Sequence, residues 1–127
     1  MEMDKHAYSF EKLRVWQKSR KLVSRIYFLS QQFPHEEKFG ITNQIRRAAI
    51  SVPANIAEGV SRVSYKDQAN FSQMSYSSLM ELLSHLYIAN DLGYLELEKL
   101  KELKLEISEI SKLLASLRNA QISKHGH

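Results

Sequence analysis

A row of cationic side chains in the first third of the chain has the spacing of one helix face. The residues step by four, three and four positions: Arg14, Lys18, Lys21 and Arg25. At 100° per residue the four charges fall within about 60° of arc, and only Glu11 lies near enough to offset them. Since aligned like charges repel, we expect a polyanion or acidic residues of a neighbouring subunit to balance them. The row predicts contact with the phosphate backbone of RNA or DNA, and a solvated face is the alternative.

A second set of polar residues lies in a stretch of otherwise small and apolar residues, QIRRAAISVPANIAEG at positions 44–59. On a helix, five of them form one row, with a sixth beside it: Arg47, Ser51, Asn55, Glu58 and Arg62, then Arg46. Pro53 removes one helical hydrogen bond, which costs about 3 kcal/mol and predicts a kink. We interpret the six polar residues as a structural network that holds the kinked helix. A recognition or assembly surface is the alternative.

Few residues have the types and spacing that catalysis or metal binding requires. Glu58 is one carboxylate without an evident second acid, base or metal ligand. Glu81 and His85 lie one turn apart, but a second Glu-x-x-His unit is absent, which argues against a di-metal centre. Arg118 and His125 superficially resemble the Arg-x4–6-His element of HEPN-type ribonucleases, at a C-terminus whose last residues, HGH, we predict to be mobile. We predict no catalytic residue, no metal and no cofactor, with a HEPN-like ribonuclease as one alternative.

The composition is that of a soluble globular protein. The 127 residues include 43% hydrophobic and 25% charged residues, which suits one domain over 1–127. The absence of cysteine excludes disulfides and thiolate metal sites. We see neither an apolar run of about 20 residues nor a signal peptide, so we expect no membrane partner and a cytoplasmic protein. The net charge of +4 is concentrated in residues 1–62, which hold 11 Lys/Arg and 6 Asp/Glu. This asymmetry favours an anionic partner for the first half.

Apolar residues recur at the helical period along most of the chain. The pattern predicts four helices at about 10–33, 37–58, 65–92 and 96–121. Pro34 ends the first, Gly59 provides a left-handed end for the second, Ser64 caps the third, and Gly93 closes it. Because the connections are short, successive helices should run antiparallel. The predicted fold is all-α, an up-down-up-down four-helix bundle with helix two kinked near Pro53.

Helix three has a second apolar row beside its core-facing row: Tyr76, Met80, Leu83 and Tyr87. A bundle helix needs one buried face, and tyrosine and methionine are common in interfaces between subunits. We predict an oligomer interface here. Packing of a broad stripe between two neighbouring helices of the same chain is the alternative.

Three long segments of the chain resemble a known family. They are FEKLRVWQKSRKLVSRIYFLSQQFPHEEKFGITNQIRRAAISVPANIAEG, SLMELLSHLYIANDLGYL and ISKLLASL, and the likeness covers about residues 10–118. The sequence is similar to the four-helix bundle proteins encoded in intervening sequences of bacterial 23S ribosomal RNA genes. The residues that match the signature positions of this family are Arg46, Arg47, Pro53, Asn55, Glu58 and Gly59.

This resemblance implies an antiparallel four-helix bundle that assembles into a homopentamer. It also implies a protein that has no established enzymatic activity and is suspected to bind nucleic acid. A related branch resembles the accessory variability determinant of diversity-generating retroelements, which works with a reverse transcriptase and RNA. We therefore predict a non-enzymatic, self-assembling bundle that binds RNA or DNA. An accessory protein of a reverse transcriptase is the alternative.

Overall fold

In the computed structural model, which describes residues 8–125, the chain forms four long α-helices. Their bounds are Arg14–Ser30 for α1, Ile41–Val60 for α2, Tyr65–Asp91 for α3 and Leu97–His125 for α4. Short 3-10 turns at Ser9–Lys12 and His35–Glu37 precede the first two helices. The described residues contain no strand. The prediction of an all-α fold with four helices is confirmed.

The helices pack in the order in which they follow along the chain. α2 lies between α1 and α3, α4 lies against α3, and α1 closes the bundle against α4. Across residues 8–125 the diagonal pairs, α1 with α3 and α2 with α4, have no Cα atoms within 8 Å of each other. Arg14 of α1 pairs with Glu109 of α4, whereas the later Arg25 pairs with the earlier Glu102, so these helices run antiparallel. The arrangement is an up-down-up-down bundle.

The core lies where the apolar stripes of the four helices meet. Each stripe steps by three and four residues, which keeps it on one side of its helix. The most deeply buried large residues come from all four helices: Ile26, Ile45, Ile56, Leu79, Leu82, Leu86, Leu103, Ile107, Ile110 and Leu114. Burial of such a side chain contributes about 1.5–3 kcal/mol relative to its exposure. None of the helices in the described part of the chain is long and apolar enough to span a bilayer.

Two predicted ends of α3 are confirmed by their backbone geometry. The Ser64 side chain accepts a hydrogen bond from the Asp67 N–H at 3.1 Å and so caps the helix. At the other end Gly93 adopts a φ of +80°, a left-handed conformation that favours glycine. The chain therefore reverses direction between α3 and α4 where the sequence indicates.

The predicted left-handed end of α2 at Gly59 is wrong. The helix continues through Gly59 to Val60, and Gly93 is the one residue of positive φ in the described part of the chain. Gly59 is buried, and a Cβ atom there would lie 2.7 Å from the Phe71 Cβ of α3. Glycine is required at this position for close helix packing, because any side chain would separate α2 from α3.

Other predicted boundaries also differ from the structure. Residues 9–12 form a 3-10 turn and Leu13 is extended, so α1 begins at Arg14. The predicted start of helix two at residue 37 likewise lies in a 3-10 turn, and α2 begins after Gly40. α4 continues to His125, beyond its predicted end at 121. Pro53 does not interrupt α2, and the kink stays a prediction.

Candidate nucleic-acid interface

The cationic row of α1 faces α4, and acidic side chains of α4 form ion pairs with three of its four residues. Glu109 Oε1 lies 2.9 Å from Lys18 Nζ and 3.3 Å from Arg14 Nη2. The hydrogen bond from Lys18, together with the positive charges of Lys18 and Arg14, holds the pKa of Glu109 below its ordinary value against an opposing effect of desolvation. One α4 carboxylate therefore serves two α1 cations.

Arg25 bonds two further acidic residues of α4, Glu102 and Glu106, one through each terminal nitrogen of its guanidinium. The expectation that a polyanion or another subunit must balance these cations is wrong for Arg14, Lys18 and Arg25, because α4 of the same chain supplies the charge. The pattern that sequence reasoning missed is the spacing of Glu102, Glu106 and Glu109. Steps of four and three place these residues on one face of α4, as the cations are on α1.

Two cations of α1 have no acidic partner of this kind. Arg20 and Lys21 have no carboxylate oxygen within 4.0 Å in the part of the chain that the structure describes. Lys21 is exposed and lies at the edge of the α1–α4 seam, where Lys18 and Arg25 line the same surface groove. Arg20, which sequence reasoning left out, lies over the Trp16 ring on the outer side of α1. The pairing thus leaves positive charge at Arg20 and Lys21.

The polar row of α2 makes hydrogen bonds across the seam with α3. The Ser51 and Ser78 hydroxyl oxygens lie 2.8 Å apart, and the Asn55 amide donates to both the Ser51 carbonyl and the Ser51 hydroxyl at 2.9 Å. Nearby, the buried Ser75 hydroxyl of α3 donates to the Val52 carbonyl at 2.8 Å. These bonds surround the turn that contains Pro53 and join α2 to α3 through short side chains.

The row continues toward the end of α2 as an ion pair. Arg62 Nη2 lies 2.9 Å from Glu58 Oε1, and the Arg62 guanidinium lies 4.6 Å from the centroid of the Phe71 ring. Both Glu58 and Arg62 are exposed. Glu58 is therefore engaged by an arginine that follows the end of its helix.

The two adjacent arginines of α2 point in different directions. Arg46 Nε donates to the Ser30 hydroxyl at 2.8 Å, and its guanidinium lies 4.7 Å from the Tyr27 ring centroid of α1. Arg47 is exposed and lines a polar pocket on the α2–α3 side together with Glu81. The six residues of the predicted network are thus divided, with Arg46 on α1 and the others along the α3 side.

The apolar row of helix three lies in the seam with α4. Tyr76, Met80 and Leu83 are partly buried and pack against the core. Cations of α4 cover both tyrosines, with Arg118 lying 6.0 Å from the Tyr76 ring centroid and Lys104 lying 5.6 Å from that of Tyr87. The row is engaged within the chain, and its role as an oligomer interface stays a prediction.

The remaining candidates for chemistry form two separate pairs, Arg118 with His125 and Glu81 with His85. Arg118 and His125 line one open groove, and Arg118 donates a hydrogen bond to the Gln73 side chain. His85 Nε2 lies 3.5 Å from Glu81 Oε1 without a hydrogen bond. In residues 8–125 no three His, Cys, Asp or Glu side chains are grouped as metal ligands. His125 belongs to α4, whereas the rest of the HGH segment lies outside the described residues, as do residues 1–7.

These features define an all-α, antiparallel four-helix bundle protein with a cationic first helix. The chain belongs to the 23S rRNA-intervening sequence protein family, whose model matches residues 11–116. It is also similar to a crystal structure of a protein with unknown function from the S23 ribosomal protein family of Bacteroides thetaiotaomicron VPI-5482. The two chains are 27% identical with a TM-score of 0.76, and the match covers 82% of this chain and 97% of the other. No curated protein matches the chain.

Proposed function

We propose that this protein is a non-enzymatic four-helix bundle that assembles with copies of itself, as a pentamer, and binds RNA or DNA through α1. The observation that carries the proposal is the charge of this helix. α1 has five cations and no acidic residue: Arg14, Lys18, Arg20, Lys21 and Arg25. Three glutamates of α4 balance the cations that face them, and Arg20 and Lys21 are left for an anionic partner.

The α1 cations that form ion pairs with α4 remain accessible to a nucleic acid. The Arg14 and Glu109 side chains are 69% and 48% exposed, and an ion pair between exposed side chains contributes little to stability. A phosphate that approaches α1 can therefore replace a glutamate as the partner of Arg14 at little cost. Binding of this type depends on salt and discriminates poorly between sequences.

Exposed apolar side chains on the outer face of α3 support the self-assembly part of the proposal. Met74, Ile88 and Leu92 are 50%, 44% and 52% exposed, and their spacing places them within about 40° of arc. The centre of this face lies about 130° around α3 from the Tyr76 row, which faces α4, and about half of each of its side chains is exposed. A second copy that packs there would bury these side chains. Five copies would also repeat the cations of α1 and increase the affinity for a polyanion by avidity.

Nucleic-acid binding is tested by filter binding of RNA at several salt concentrations. We expect the affinity to fall steeply with salt, and Lys21→Glu to weaken binding and lower the salt slope by about 1. The matched control is Lys112→Glu, which reverses another exposed lysine without an acidic partner in the described residues, on α4. Equal losses from both variants would show that only net charge matters and that α1 is not the site.

Assembly is tested by light scattering of the wild type and of Ile88→Glu. We expect an oligomer for the wild type and smaller species for the variant, because a carboxylate on this face resists burial. Ser116→Glu, at an exposed position of α4, is the control and should leave the oligomer intact. A monomeric wild type at tens of micromolar would contradict the proposal. The accessory role beside a reverse transcriptase and the ribonuclease role stay predictions.

A further inference from the structure

An open groove of about 690 Å³ lies between the 3-10 turn Ser9–Lys12 and the outer face of α1. Phe10 and Trp16 line it with their rings, and Arg20 and Lys21 line it with positive charge. The two rings meet edge to face with centroids 4.9 Å apart, and the Arg20 guanidinium lies 5.5 Å from the Trp16 centroid. We call this feature the aromatic groove.

Tyr8 extends the aromatic surface beyond the groove. Its ring stacks on Phe10 with centroids 6.4 Å apart and an interplanar angle of 14°, and the residue is 72% exposed. Neither Tyr8 nor Phe10 belongs to the hydrophobic core. The core therefore does not require these rings, which present a face to any flat group that approaches the turn.

The charge around the aromatic groove complements an anionic chain. Arg20 and Lys21 have no carboxylate partner among the described residues, and Glu11 is the one carboxylate in the lining. Lys21 also lines the α1–α4 groove beside Lys18 and Arg25. Glu109 and Glu106 line that groove as well and pair with Lys18 and Arg25. Lys21 is therefore the cation that both grooves share and that is left for a phosphate.

We propose that the aromatic groove binds an unpaired base of a single-stranded RNA or DNA. The base stacks on the Tyr8 and Phe10 rings, and Lys21 contacts the adjacent phosphate. Aromatic rings and arginine planes both stack on unpaired bases, whereas a duplex keeps its bases inside and offers only phosphates. This inference rests on the proposed nucleic-acid function and specifies the strand type and the contact with the base.

Trp16 makes the test direct, because it is the only tryptophan of the chain and lies in the groove. The full chain is titrated with an oligouridylate of about 12 nucleotides, within the usual range for one binding module, and with a duplex of the same length. We expect the single strand to quench Trp16 fluorescence and to bind several-fold more tightly than the duplex. We expect the duplex to bind without quenching.

Two variants separate stacking from charge. Tyr8→Ala should weaken single-strand binding roughly 5- to 150-fold, the range for loss of one base stack, with little effect on the duplex. Tyr65→Ala, which removes another exposed tyrosine outside the groove, is the matched control and should change neither affinity. Lys21→Gln should weaken the binding of both the single strand and the duplex. Circular dichroism verifies that each variant is folded.

The outcomes distinguish this inference from the function on which it rests. If both ligands bind equally and Trp16 fluorescence does not change, the groove is not a base site, although nucleic-acid binding stands. If Tyr8→Ala and Tyr65→Ala behave alike, stacking at the groove is excluded. If neither ligand binds at low salt, both proposals fail.

Discussion

The seam between α2 and α3 and the seam between α1 and α4 are built from different kinds of side chain. At the first, glycine, alanine and serine allow close approach, and Gly59 touches Phe71. At the second, the two helices make the least extensive contact of any neighbouring pair, and long charged side chains cross the gap. The first seam depends on packing of backbones and short hydroxyls, and the second on ion pairs near the surface.

This difference indicates where the bundle is rigid and where it can yield. Close packing inside a protein tolerates little added volume, whereas a surface ion pair contributes at most about 1 kcal/mol. α1 is therefore held less firmly along α4 than α2 is along α3. The surface that we propose for nucleic acid lies on the helix with the weaker seam, where cations can exchange partners without disturbing the core.

The largest effect on stability is expected from added side-chain volume at the seam between α2 and α3. Gly59→Leu would place side-chain atoms where a Cβ alone lies 2.7 Å from the Phe71 Cβ. We expect a loss of about 3 kcal/mol in the free energy of unfolding, the upper part of the range for overpacking, measured by urea denaturation. Ala54→Leu adds the same type of side chain at an exposed position of α2 and should cost little. Equal stability of the two variants would mean that the seam can open.

A smaller effect on stability is expected at the seam between α1 and α4. Arg25→Gln removes the partner of Glu102 and Glu106, and we expect a loss of about 0.2–1 kcal/mol that shrinks at high salt. A double-mutant cycle with Glu106→Gln isolates the pair, and its coupling energy should be positive at low salt. A coupling energy near zero would show that burial of Leu22 and Ile110 beneath the ion pairs holds this seam by itself.

The smallest effect is the dependence of the free energy of unfolding on pH through Glu109. Since Lys18 and Arg14 lower the pKa of Glu109 in the folded state, the carboxylate contributes stability above the ordinary glutamate pKa of about 4.3. This contribution is lost as the pH falls through the lowered pKa. The free energies of unfolding of the wild type and of Glu109→Gln, measured at about pH 7 and pH 3, should differ only at the higher pH. A difference that grows in acid would contradict the assignment.

Much of the fold could be predicted because it depends on local patterns. Apolar residues spaced three and four positions apart define the helices. The Ser64 cap and Gly93 define the two ends of α3, and both ends are confirmed. Boundaries that depend on tertiary contacts were wrong. Gly59 has the residue type of a helix end, but its role is set by Phe71, which lies twelve residues further on and on another helix.

The candidate site was predicted in part. The spacing of Arg14, Lys18, Lys21 and Arg25 places these cations on one face, but periodicity does not state which helix that face meets. The acidic row of α4 has a matching period and was overlooked because each helix was considered by itself. The aromatic groove could not be predicted, since it forms only where the 3-10 turn brings Phe10 against Trp16.

The sequence by itself determined the number of helices, their apolar faces and the excess of positive charge on the first. These properties follow from the 3.6-residue period and from residue type, which act over one or two turns. Only the tertiary structure decided which cations are paired, which glycine permits contact between helices, and which apolar row faces α4. These properties depend on distances between residues far apart in the chain, and such distances exist only once the four helices have packed.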